Sequence, residues 1–155
     1  MKKIKFKSFQ TASIVFVVLW IIYTSIRFVA KSIISIDKVC HENKCFVVEI
    51  AKTDEERQKW LMHREKLWKK KWMIFIFEEE KKHSFWMKNT LIPLDIIRIN
   101  KDFKIVDIQT AQPCYTQVCW NYTPSWNAKY VLEINAGVAQ KKDIKVWDKL
   151  KFKLK

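Results

Sequence analysis

The residues best equipped for chemistry lie close together in "FWMKNTLIPLD", where Trp86, Lys88, Asn89 and Asp95 offer an aromatic face, a cation, an amide and a carboxylate. Such a set can orient a small polar ligand. Arg64, after an expected helix, supplies a second cation, and Pro93 stiffens the connection. The same residues also admit a structural reading, with Lys88 and Asp95 as an ion pair and Asn89 bonding the turn backbone. Glu133 and Asn135 read as strand and helix-cap residues. No nucleophile and base stand at a catalytic spacing. His41, His63 and His83 are scattered, without metal-like spacing, and only His83 adjoins the motif. The pattern therefore favours binding over catalysis. The enzyme alternative would use Asp95 and Lys88, with His83, in acid–base roles. No cofactor is implied.

Four cysteines form two similarly spaced pairs, Cys40/Cys45 and Cys114/Cys119. In an exported domain this predicts disulfides in one of three connectivities; the two local pairs, each closing a tight loop, are favoured over cross-pairing, which would tie the N-terminal edge to the later loop. A four-thiolate zinc site is the alternative, because the spacing also suits zinc.

The elements that must position these groups follow from the apolar pattern. Ser8 to Ile26 is a run of nineteen residues without a charge. As a helix it would cover about 28 Å, close to a hydrocarbon core of roughly 30 Å. Lys2, Lys3, Lys5 and Lys7 precede it, and Arg27, Lys31 and Lys38 follow more sparsely. This bias predicts a cytoplasmic tail (1–7), a transmembrane anchor in membrane lipid (8–29), a stalk (30–44) and an extracytoplasmic domain (45–155). A cleaved signal fits less well, since Phe28-Val29-Ala30 lacks the first small residue of a cleavage site.

Beyond Lys31 the chain carries 24 basic and 16 acidic residues, a net of +8. Outside a cell, that charge suits lipid head groups, an envelope polymer or a small polar ligand. The lysines are dispersed and no RNA-binding signature interrupts them, which disfavours nucleic acid.

Within the domain, "CFVVEIA", "MIFIF", "SFWM", "LDIIRI", "KIVDIQT", "KYVLEI" and "KLKFKLK" read as short strands. Thr53 and Glu56 form a capping box that opens a helix from Asp54 to about Arg64. A second short helix is expected over Ala136 to Lys142, a hairpin turn over Asn100 to Phe103, and a loop over Cys114 to Pro124. The fold class is mainly β, a compact β-sandwich or barrel with two short helices, preceded by one transmembrane helix.

Three stretches, "KWLMHREKL", "HSFWMKNTLIPLDII" and "AKYVLEINAGVAQKKDIKVWDKL", resemble the Domain of Unknown Function 192 family, in family order. The resemblance implies a compact, mostly β domain, often exported, and no assigned function. One departure stands out. The chain has one glycine and eight tryptophans, whereas average usage would give roughly eleven glycines. The family pattern carries glycine where this chain has Trp60, Trp68, Trp72, Trp126 and Trp147. Glycine also suits the turns at "SWNAK" and "VWDK". This predicts a gene whose UGA codons mean glycine, with Trp86 a genuine tryptophan.

Overall fold

The computed structural model describes residues 16–24, 37–59, 61–65, 67, 72–116 and 118–154. The chain forms two compact units, Met1–Ser35 and Ile36–Lys155. In the first, residues 16–24 form a helix, α1. The remainder of the expected span lies outside the described residues. Among the described residues no helix is long and apolar enough to cross a membrane.

The second unit is mainly β. Seven strands make one curled sheet in the order β6-β5-β8-β3-β2-β1-β9: Ile105–Ala111, Leu94–Ile99, Ala128–Asn135, Trp72–Lys81, Lys44–Ala51, Lys38–His41 and Leu150–Lys153. A two-stranded ribbon pairs β4 (Phe85–Trp86) with β7 (Asn121–Tyr122). The short helices are α2 (Asp54–Lys59) and α3 (Val138–Lys141). Every pairing in the large sheet is antiparallel except that of β2 with β3, which requires the crossover that contains α2.

The sheet begins earlier than the sequence suggests. Lys38–His41, expected in the stalk, forms β1 between β2 and β9. The expected "SFWM" strand shortens to two residues, and the expected loop beyond Cys114 contains β7. Helix α2 begins at the capping box: the Glu56 amide donates to Thr53 Oγ1 (3.2 Å), and Glu56 Oε2 accepts from the amides of Thr53 (3.0 Å) and Lys52 (2.7 Å). These bonds hold the Glu56 carboxyl below its ordinary pKa. The helix stops at Lys59, short of Arg64; His63 adopts a φ of +63°, which an α-helix cannot continue through.

The curl has a packing reason. One apolar cluster draws on all seven strands, through residues such as Val39, Phe46, Ile74, Ile97, Ile105, Leu132 and Leu150. A single cluster fed by both edges and the centre forces the sheet to wrap around it, producing a half-barrel. At one end the edges are stitched together, through a bridge between Lys104 and Lys149 and a bond from Leu150 N to Phe103 O (2.9 Å). The opposite face carries a second cluster, including Met73, Phe75, Leu94, Ile96 and Val131, and is covered by Leu61, Leu67, Met87 and Ile92. β5 is buried along its whole length because both faces are covered.

Both local disulfides are present, Cys40–Cys45 and Cys114–Cys119. Cys40 and Cys45 sit directly opposite in the β1–β2 hairpin, with Cα atoms 4.0 Å apart. All four thiols are thus used, and the zinc alternative is replaced.

Candidate functional site

The cover over the second face is incomplete, leaving a cavity of about 460 Å³. Its floor is apolar, with Leu61, Phe75, Met87 and Leu94, and one acid, Glu133. Glu133 lies on β8 opposite Met73 of β3 and Ile96 of β5, which turns its side chain onto this face. It is only 4% exposed. Burial pushes its carboxyl up to about 8, against the opposing pull of the Arg98 guanidinium. Glu133 is therefore mostly a neutral acid at pH 7.

The rim is basic and aromatic. Lys82, Lys88 and Trp86 are exposed, and the Lys88 ammonium lies 5.4 Å from the Trp86 ring centroid. Arg57 also lines the cavity but is committed elsewhere: it donates to Ile76 O (2.9 Å), to Asp54 Oδ1 (2.6 Å) and to Lys52 O. His83 stacks on Phe77 with ring centroids 3.6 Å apart, and its Nε2 lies 3.1 Å from Glu79 O. Burial lowers its pKa, so the ring is neutral at pH 7. It combines packing with a place on the cavity wall.

The fold separates the residues that the sequence grouped. Trp86 and Lys88 line the cavity; Arg64, Asn89 and Asp95 are not among its lining residues. Asp95 is buried and ties three elements together, accepting from Thr110 Oγ1 (2.8 Å) on β6 and from the Ala139 amide (3.0 Å) on α3. Among the described residues no ion pair joins it to Lys88. Asn89 shapes the turn through a φ of +58°, and its carbonyl accepts from His63 N (2.7 Å). Arg64 faces Glu49 at 3.4 Å.

Sequence reasoning placed Glu133 on a strand but left it out of the site, and passed over Arg98. Arg98 is fully buried on β5, bonded to Asp107 Oδ2 (2.7 Å), Gln109 Oε1 (3.0 Å) and Tyr122 O. Its burial lowers its pKa, while Asp107 opposes that shift. The signal was available: each charge interrupts a run of apolar strand residues, Arg98 within "LDIIRI" and Glu133 within "KYVLEI". Among the described residues no three His, Cys, Asp or Glu side chains gather as metal ligands.

Residues 36–152 match the model of a family described as DUF192, an uncharacterised ACR. The chain belongs to the DUF192 family. Two solved structures resemble this DUF192 chain. One is a protein of unknown function from Novosphingobium aromaticivorans DSM 12444, 34% identical, with a TM-score of 0.64 over 75% of this chain and 83% of that one. The other, from Sinorhizobium meliloti 1021, is titled as a candidate transcription regulator; it is 28% identical, with a TM-score of 0.66 over 77% of this chain and 96% of that one. Among curated proteins none matches. DUF192 membership accounts for the half-barrel and assigns no activity.

Proposed function

We propose that this DUF192 chain is a membrane-tethered, extracytoplasmic binding module that takes a small polar ligand, free or as part of an envelope polymer, into the cavity above β3, β5 and β8. The observation that carries the reading is the cavity's lining: an apolar floor holding one buried acid, beneath an exposed aromatic ring and lysines. An apolar floor with polar groups converging on it is a usual arrangement of a ligand site. The uncharged run from Ser8 to Ile26 and its lysine-rich leading flank support tethering to membrane lipid. Two disulfides support an oxidising compartment.

An acid–base enzyme built on Asp95 and Lys88 has less support, because Asp95 is occupied by Thr110 and Ala139. Glu133 would be the better-placed acid.

The test is a thermal-shift screen of the full chain in lipid nanodiscs against soluble wall fragments. A stabilising fragment should lose its effect in Trp86→Ala and Lys88→Ala. Fragments that stabilise both variants as well as the parent would refute the site.

A further inference from the structure

Resting on that reading, we propose that the cavity is a two-pole site for a small zwitterion, a free amino acid or an amino-sugar acid, with the ligand's ammonium against Glu133 and its carboxylate against Lys82 and Lys88.

The poles differ in depth as well as in sign. Glu133 is 4% exposed, whereas both lysines are exposed and line the same opening. Among the described residues no hydrogen bond holds the Glu133 carboxyl, and Arg98 is the one opposite charge acting on it. A buried carboxylate without a close partner is costly, so the unliganded group keeps its proton. A ligand ammonium supplies the missing partner. A purely anionic ligand would satisfy the lysines and leave Glu133 unused, and a purely cationic one would pass two ammonium groups to reach it. An amine and a carboxylate on one small molecule satisfy both poles. Between them, Phe75, Leu94 and Trp86 offer apolar contact to the ligand's carbon frame.

Binding then has a proton balance. The Glu133 carboxylic acid meets the ligand ammonium, becomes a carboxylate paired with it, and releases one proton to solvent. Of the other groups around the cavity, Asp54 is paired with Arg57 at 2.6 Å, and burial lowers the His83 pKa.

The experiment is calorimetry at pH 7 on the full chain in nanodiscs, in buffers of differing ionisation heat. The probes are leucine, muramic acid, their N-acetyl counterparts and leucinamide. We expect a zwitterionic probe to bind with release of about one proton, and its N-acetyl or amide counterpart to bind about tenfold more weakly, the usual worth of one charged hydrogen bond. Glu133→Gln should abolish the proton release and the preference for a free amine. Lys88→Met, at an exposed position where folding is not at stake, should weaken the zwitterion without changing proton release. Leucine alone or muramic acid alone would identify the ligand class, and either supports the inference. Equal binding of N-acetylmuramic and muramic acids without proton release would overturn the zwitterion and leave a polar-ligand site standing. Silence from all of these probes and from the wall fragments would overturn both.

Discussion

Trp147 has a φ of +77°, the same left-handed value as Gly137, the chain's one glycine. For a residue with a bulky side chain that conformation is strained, and Trp147 recovers little by packing, being 61% exposed. Trp72 shows the opposite symptom. It is buried with its indole N–H unpartnered and its ring centroid 4.0 Å from that of Phe46. A buried donor without an acceptor costs roughly 1–3 kcal/mol. Trp126 is exposed at a bend, and Trp60 and Trp68 lie outside the described residues. These features fit positions made for glycine. Trp147→Gly should stabilise the domain by about 1 kcal/mol or more, read from denaturant midpoints. Mass spectrometry of the protein from its own cells should find glycine at position 147; a UGG codon there would end the idea.

Glu133 gives a second residue-scale prediction. Its pKa in the fold, about 8, lies above the ordinary 4.5, so the folded state holds a proton that the unfolded state has lost. Stability should therefore fall as pH rises from about 4.5 to about 8 and level off above that. Glu133→Gln removes this slope, so the variant should match the parent near pH 4 and exceed it in Tm at pH 8. Parallel pH–Tm curves for the two proteins would show that Glu133 is not the group responsible.

At the scale of elements, the Cys114–Cys119 loop bears on the cavity. Lys88 bridges to Cys114, so the loop is fastened directly to a rim residue. Closing so short a loop, with a sequence separation of 5, contributes about 2 kcal/mol by chain entropy. Cys114→Ser/Cys119→Ser should lower unfolding stability by about that amount and weaken ligand affinity through Lys88. An affinity equal to the parent's would detach the loop from the site.

The elements were largely legible in the sequence. The Thr53–Glu56 capping box, the "LDIIRI" strand and the Asn100–Phe103 turn appear where their side chains dictate; Asn100 Oδ1 accepts from the amides of Asp102 (3.0 Å) and Lys104 (2.9 Å) to hold that turn. Each is decided within a few residues. The site was less legible, because it depends on register between strands far apart in the chain. Proximity along "FWMKNTLIPLD" suggested that Asp95 and Lys88 work together, but Asp95 lies within β5, where its carboxylate is bonded to β6 and α3. Glu133 joins the cavity only because β8 lies between β3 and β5. Nothing in the residues around Glu133 announces those two neighbours.

At the scale of the whole molecule, the half-barrel explains how a modest chain holds a charged cavity. The cluster inside the curl draws on every strand of the large sheet and supplies the domain's cohesion. The outer face can then tolerate Arg98 and Glu133, each a burden on stability by itself. A design that placed both charges inside the curl would lose the apolar continuity on which the sheet's wrapping depends.

The pairing of β1 with β9 has a topological consequence. Lys38 sits opposite Lys153, so the polypeptide enters and leaves the domain at the same place. A short linker joining these ends would make a circular permutant, with new termini opened at the Asn100–Phe103 turn and the ladders within the sheet kept. In such a rearranged chain, β1 and β9 would become a hairpin, and the contact that now forms last in sequence would become one of the most local.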